Sequence, residues 1–540
     1  MKKSFYLMAA FLVTMVGCNK EPQVGPGQDD ASGDAVYMSF KVSTLETKSS
    51  TDAVGDTNSN ANPDYEVGSA DENAVNSLQL FITNTDGTIV TRSSSMTSVG
   101  QIGNSISYVA KLNAAPFLDE NKQSKDGTYN VYIYANMSLA DETTFNLDAT
   151  TTLTEDNLTD NIAQAEAFIM TNADDNNQTT IPEDLSPYTV ESNPLNLGTF
   201  NLERTAARFD YGQAVADDTY TVIKDKDGNP VLDVQLTDIA LVNLSKSYYH
   251  FRRVSANGTN VNWTVGGRET RNNYVVDTDW ELKSSAKDNV AALPNNFLYP
   301  LKANDESGLS WTPLSSITTA DNYEAKTDDR NYKVWRYATE NTIAGGTGNQ
   351  INAASTGVVF RAKFVPAASC PAALKAAIDD AAEPLYVFQN TLYGTWEMVV
   401  EAAAEPELVA LKAAVDNCKT AEGTADATKL AKAGFTRFTP REVGTEAGYY
   451  TTYYYWNRHN DNNVADTMGE MEFAVVRNNV YKLAVTKISR LGHPYQPDPK
   501  NPDPDPDPID PTDPDESLDY YFEVSVKVLP WVVRINNIEF

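Results

Sequence analysis

Few side chains in this chain stand in arrangements that could do chemistry. The three histidines, His250, His459 and His493, fall in no recognisable metal or acid–base motif. A serine elbow and a phosphate-cradling glycine loop are both absent, and Gly345-Gly-Thr-Gly348 reads as an ordinary loop. Asp225-Lys-Asp-Gly228 carries two carboxylates, but it lacks the third acidic position and the closing glutamate of a calcium loop, so it reads as a hairpin turn. With 74 Asp+Glu residues, a glycosidase pair is compatible with counting alone, though nothing else in the sequence raises it. The expectation is a non-enzyme with no catalytic, cofactor-binding or metal-ligating residue.

Reactive positions of another kind remain. Lys2 and Lys3 precede an apolar run from Phe5 to Val16, too short to span a bilayer, and Gly17 then leads to Cys18. This resembles a bacterial lipoprotein signal, with Cys18 acylated and anchoring a precursor, although Met15 stands where Leu is usual; a plain secretory signal is the alternative. Cys370 and Cys418 flank one Ala-rich segment. In an exported protein they form either a disulfide, which that placement favours, or two reduced thiols. With no second cysteine pair or nearby histidine, zinc is not expected. Lys48 is the lone basic residue between Lys41 and Arg92, in a polar stretch from Leu45 to Asn73, and an exposed loop of that kind is open to a protease.

The elements around these positions are mostly strands. The chain has 540 residues, 41% apolar and 10% aromatic, which suffices for two to four domains with sizeable cores. A net charge of −32 excludes nucleic acid as a partner and opposes adsorption to an anionic membrane face. Val36, Met38, Phe40 and Val42 alternate with polar residues, as in a half-buried strand. Further strands are expected at 78–83, 88–91, 105–112, 129–135, 194–202, 219–224, 231–242, 274–282, 357–364, 449–456 and 472–488, with a short helix at 161–170. Asn84-Thr-Asp-Gly87 is a hairpin signal. Ala372 to Ala382 and Glu401 to Lys419 read as helices, with a strand-like stretch between them, so residues 371–432 form an Ala-rich insertion.

Residues 494–515 hold nine prolines and seven aspartates and are expected to form an extended polyproline linker. Beyond it, Phe522 to Val528 alternates without a break, and the chain ends on Val532-Val-Arg-Ile-Asn-Asn-Ile-Glu-Phe540. An apolar strand at the end of such a linker must pair with its own sheet or with another molecule's. If proteolysis removed the Val36–Val42 strand, the groove left behind could take a strand from another subunit.

Val475-Val-Arg-Asn-Asn-Val-Tyr481, Lys487-Ile-Ser-Arg-Leu-Gly492, the Pro-Asp linker and Val526-Lys-Val-Leu-Pro-Trp531 together resemble the type V pilus fimbrilins, most closely the major subunit of the short (minor) fimbria. Asn62-Pro-Asp-Tyr65 and Glu203-Arg-Thr-Ala-Ala-Arg208 support the likeness, which is weakest over 371–432. It implies a mainly all-β chain of two transthyretin-like β-sandwich domains, with the helical insertion in the second and a C-terminal extension strand. The expected division is a signal at 1–18, a pro-segment with the first strand at 19–48, sandwiches at 49–200 and 201–493, the linker at 494–515 and terminal strands at 516–540.

The resemblance also implies a structural shaft subunit, exported as an outer-membrane lipoprotein through Cys18 and maturing into an extracellular fimbrium. A trypsin-like protease would cut between Lys48 and Ser49, where the family usually has Arg, so a lysine-tolerant enzyme is expected. The displaced strand would carry Val36, Met38, Phe40 and Val42. The donor strand would carry Trp531, Val533 and Ile535 on one face, or Ile538 and Phe540 on the other. Implied partners are further copies of the chain, accessory, anchor and tip pilins, the protease, and host or bacterial surface ligands. A tip adhesin and a surface glycan-binding lipoprotein are the competing readings.

Overall fold

A computed structural model describes residues 35–43, 66–93, 95–102, 105–120, 127–137, 145–155, 157–175, 177–256, 260–266, 273–302, 305–319, 331–343, 347–459, 464, 467–495, 505–516 and 522–532. The strands used below are β1 (Ala35–Ser43), β2 (Leu78–Thr83), β3 (Ile89–Ser93), β4 (Met96–Ile102), β5 (Ser105–Asn113), β6 (Gly127–Ala135), β7 (Met170–Asn172), β8 (Leu195–Arg204), β9 (Ala207–Tyr211), β10 (Thr219–Lys224), β11 (Pro230–Val242), β12 (Lys333–Ala338), β13 (Gly357–Pro366), β14 (Tyr450–Trp456), β15 (Asn479–Ile488) and β16 (Phe522–Val532).

The N-terminal half is built on the order β3-β2-β6-β7-β8-β1-β5-β4. β8 pairs with β1 from Leu195 to Asn201 and with β7 from Leu202 to Arg204, so it belongs to both layers. Val36, Met38, Phe40, Leu112 and Leu197 from one layer meet Leu80, Ile82, Val131 and Ile133 from the other in a common core. The period-2 alternation of β1 and β6 makes this possible, because every second side chain turns inward. The Asn84–Gly87 turn closes the β2–β3 hairpin: Gly87 N–H donates to Asn84 O at 3.0 Å, and its φ of 88° is one that glycine accepts readily.

The C-terminal half is a second sandwich. One sheet runs Glu66–Val67, β16, β15, β9, β12, and the other β10-β11-β13-β14 with His493–Pro494 at its edge. Phe209, Tyr211, Tyr481 and Leu483 from the first sheet share a core with Leu232, Val234, Val358 and Phe360 from the second. The Asp225–Gly228 segment is the β10–β11 turn: Asp225 Oδ1 accepts from the backbone N–H of Asp227 and of Asn229 at 2.9 and 2.8 Å. Those bonds occupy the carboxylate in shaping the turn.

Several elements differ from expectation. Residues 274–282 divide into a short strand, Asn273–Val275, and a helical turn, Trp280–Lys283. The expected helix at 161–170 is Leu158–Ile162, followed by β7. Within the Ala-rich insertion, the helices are α1 (Ala372–Asp380), α2 (Trp396–Ala402) and α3 (Val409–Cys418). Pro406 divides the expected 401–419 helix, because proline cannot continue the hydrogen-bond ladder. The insertion has its own core of Tyr386, Trp396, Val399, Leu411, Val415 and Phe435.

Cys370 and Cys418 are separate free thiols, so the expected disulfide is not formed in this structure. Cys418 faces the insertion's own core, whereas Cys370 packs at the margin of the main core, and two separate clusters hold the sulfurs.

The Pro-Asp segment also departs from expectation. Over the described residues 505–516 it is a strap bound to the C-terminal sandwich and not a free spacer. Ile509 packs beside Val242, Val359 and Trp456. The carbonyls of Asp510, Pro511 and Asp513 accept from the Asn352 side chain, Ala353 N and Asn352 N at 2.8, 2.9 and 3.0 Å. Proline offers no N–H but keeps its carbonyl, so a proline-rich strap can bind through its acceptors. Asp515 is buried against Ser355, and Arg458 reaches Glu516 at 3.1 Å.

Candidate assembly site

β1 lies inside a sheet, not at its edge. It pairs antiparallel with β5 from Ala35↔Asn113 to Ser43↔Ser105, and parallel with β8 from Met38↔Leu195 to Ser43↔Asn201. Val36, Met38, Phe40 and Val42 are 1%, 0%, 1% and 1% exposed, and Phe40 stacks on Tyr108 with ring centroids 5.9 Å apart. Burying four such side chains contributes about 6–12 kcal/mol before ordering costs. Without β1, two unpaired edges and an apolar trench would face water, a state that demands another strand. Residues 44–65, which contain Lys48 and Ser49, lie outside the described residues, as does Cys18.

The last described strand has the opposite setting. β16 pairs antiparallel with β15 from Ile488↔Phe522 to Asn479↔Pro530, with a register shift between Val485 and Lys487. Among the described residues, its far edge is covered over two residues, Glu66↔Trp531 and Val67↔Val532, in parallel. Trp531, expected in the donor strand, is thus part of this chain's own ladder. Val533, Ile535, Ile538 and Phe540 lie outside the described residues.

The segment that clasps β16 leads into a buried ionic junction. Ser69 caps the helical turn Ala70–Asn73, and Glu72 returns the bond to Ser69 N at 2.6 Å. Glu72 is buried, and Arg208 donates to both its carboxylate oxygens at 3.1 Å while also pairing with Asp210 at 2.8 Å. Tyr337 donates to Glu72 at 2.7 Å, and Arg204 Nε donates to the Glu72 carbonyl at 2.9 Å. Burial works against the Glu72 carboxylate, but the two guanidinium groups and these hydrogen bonds hold its pKa below the ordinary value.

Arg204 also donates to Asn478 at 3.2 Å, and Arg477 pairs with Glu340 at 3.0 Å and donates to the carbonyls of Tyr249 and His250. Glu203 lies beside Arg252 at 3.2 Å, yet its carboxylate oxygens accept no aligned hydrogen bond. Full burial pushes its pKa up to about 7 against the pull of Arg252 and Arg477. The motifs Glu203–Arg208 and Val475–Tyr481, remote in sequence, therefore meet where the two sandwiches join. Glu72 was missed in the sequence because it sits at the end of a patternless polar stretch; the Ser69-x-x-Glu72 capping spacing was the available signal.

The histidines serve separate structural bonds: His250 with Thr151, His459 with Tyr481, and His493 with Asp505, at 2.9, 2.9 and 3.0 Å. Burial, aided by Arg477, lowers His250 to about 4. Among the described residues, no group of three His, Cys, Asp or Glu could hold a metal ion, and no helix is long and apolar enough to cross a membrane. Of the six tryptophans with described side chains, Trp396 and Trp456 are buried and the other four half-buried.

Two family models match this chain. Residues 36–229 match the family model of the major fimbrial subunit protein (FimA), and residues 447–537 match that of the major fimbrial subunit protein type IV, fimbrillin, C-terminal. No curated protein matches the chain. Among solved structures, a fimbrilin (FimA) from Porphyromonas gingivalis W83 is 13% identical, with 94% of this chain and 100% of that one covered and a TM-score of 0.34. The tip fimbrial protein Mfa3 from Porphyromonas gingivalis, with C-terminal truncation, is 10% identical over 92% of this chain and 100% of that one, with a TM-score of 0.33. Together the two family models cover just over half of the residues, including both β1 and β16. The chain belongs to the fimbrilin family of fimbrial structural subunits, which are not enzymes.

Proposed function

We propose that this fimbrilin is a shaft subunit that polymerises by donor-strand exchange. It is exported as a lipoprotein acylated at Cys18, and a trypsin-like protease that accepts lysine cuts it between Lys48 and Ser49. Loss of residues up to 48 removes β1 and opens the slot between β5 and β8. A neighbour's C-terminal residues then fill that slot. The observation that carries this reading is the position of β1, paired on both sides with its inward side chains buried, directly before the segment that holds Lys48.

Because β16 is occupied through Val532 in its own sheet, the donor is assigned to residues 533–540. These eight residues match the nine of β1 to within one. The test is controlled trimming of purified precursor at Lys48. SDS-resistant oligomers should form, and protein lacking residues 533–540 should be trimmed yet stay monomeric. Trimmed full-length protein that remains monomeric would overturn the proposal.

A further inference from the structure

Away from the terminal strands, a lysine, an asparagine and two aspartates converge in the interior of the C-terminal sandwich. Lys283 ends the helical turn Trp280–Lys283, and its ammonium group is fully buried. Its Nζ donates to Asn341 Oδ1 at 2.7 Å, contacts Asp277 Oδ2, and lies 2.7 Å from Asp279 Oδ1. Asn341 is held on its other side: its Nδ2 donates to Ala354 O at 3.0 Å and Thr356 Oγ1 at 2.9 Å, and its backbone bridges to Val475. These bonds orient the amide so that its oxygen, and the carbonyl carbon one bond behind it, face the lysine nitrogen. Neighbouring Val275, Ile343 and Ala354 belong to apolar clusters, so little water competes.

We infer that Lys283 and Asn341 form an intramolecular isopeptide bond, with Asp277 as the proton-transfer group. Lys283 passes a proton to an adjacent carboxylate, and the neutral amine attacks Cγ of Asn341. In the resulting adduct both nitrogens sit on Cγ, and Asp277, beside Nζ, relays a proton from the attacking nitrogen to the departing one. The Nζ–Cγ bond forms and the Cγ–Nδ2 bond breaks. The side-chain nitrogen leaves as ammonia and carries off the lysine's extra proton as ammonium. No oxidant, reductant or cofactor enters, and charge is conserved.

Placement within hydrogen-bond contact provides the proximity that such a step needs, and a buried site brings the charged and neutral forms of a lysine–carboxylate pair close in energy. Burial and the charge of Asp279 raise the pKa of Asp277 well above the ordinary carboxyl range, which suits a group that takes and returns a proton. Against the cost of its own burial, Asp279 is held low by Lys283 and is the carboxylate that takes the lysine's proton. Lys283, despite burial, is kept protonated by the two aspartates until that transfer.

The bond would tie the end of the helical turn to the segment after β12. Arg477, whose partner Glu340 precedes Asn341, lies next to the same Val475 bridge. The cross-link would therefore brace the junction of the two sandwiches.

Mass spectrometry of the purified wild-type protein tests this directly. The intact mass should fall short of the sequence mass by one ammonia, about 17 Da, and a tryptic digest should yield a branched peptide joining Lys283 to Asn341. A full sequence mass would overturn the inference. So would a deficit without the branched peptide, because an asparagine succinimide loses the same ammonia. Lys283→Met should restore the full mass. In Asp277→Ala both reacting residues remain, and the branched peptide should disappear; its persistence there would overturn the assigned role of Asp277.

Discussion

The first and last described strands of this fimbrilin are both apolar and both alternate, yet the fold holds them differently. β1 has a full ladder with β5, a second ladder with β8 from Met38 to Ser43, and a sealed inward face. Among the described residues, β16 has a long ladder on one side and a two-residue clasp on the other. Removing β1 opens a core from within its sheet, whereas removing β16 strips an outer strand from β15. Sequence alternation alone says that a residue has a buried side, while the number of bonded neighbours decides how firmly a strand belongs.

The comparison is best tested through stability. Phe40→Ala should cost about 3–5 kcal/mol, because the ring is buried and stacked on Tyr108; denaturant midpoints of the untrimmed precursor measure it. An effect under ~1 kcal/mol would mean that β1 is loosely held and that the contrast is wrong.

Arg208→Ala comes next. It leaves Glu72 and Asp210 as buried charges short of a partner, and such losses cost about 3–5 kcal/mol. Since Glu72 lies a few residues beyond the Glu66–Val67 clasp, amide exchange of β16 should quicken in this variant as well. Unchanged exchange there would separate the junction from the clasp.

A smaller effect belongs to Glu203, near the end of β8. Its pKa is near 7 in the fold against an ordinary 4.5. Folding thus favours the protonated form, so this contribution is fully present below about pH 4.5 and fades as pH rises through about 7. The upper bound is ~3 kcal/mol, from about 1.4 kcal/mol per pH unit. Thermal melts at pH 5 and pH 8.5 should show the loss, and Glu203→Gln should flatten that part of the profile. The smallest effect is expected for Val524→Ala in β16, about 1 kcal/mol or less, since the side chain is half-buried against the core. A loss as large as that of Phe40→Ala would erase the distinction between the two strands.

Legibility in the sequence tracks physical range. The inward set of β1, the Asn84–Gly87 and Asp225–Gly228 turns, and the long strands β11, β13 and β14 declare themselves through residues a few positions apart. The positions of Glu72 and Arg208, or of Lys283 and Asn341, could not be read in that way, because ion pairs and hydrogen bonds between segments far apart leave no local period. The strap at 505–516 was read as free because proline and aspartate build no core; it is bound instead by acceptor carbonyls and one isoleucine on a surface formed elsewhere. Residues 472–478 were read as strand from their apolar content, but Met471 and Asn478 have φ values of 56° and 57°, which end the extended run before β15 begins. Of the assembly site, the inward residues of β1 were visible in advance. Its two-sided pairing was not, since β5 and β8 lie about 70 and 160 positions away.

The mixed pairing of β1 has one more consequence. β1 runs parallel to β8 and antiparallel to β5. A strand inserted the other way round would also meet one parallel and one antiparallel neighbour, so backbone bonding alone hardly distinguishes the two directions. The choice falls to side-chain pockets and to the register shift between Ser39 and Lys41. In a filament assembled through this slot, head-to-tail polarity would be written in the apolar residues of the incoming strand, and a variant that inverted their order could turn a subunit around.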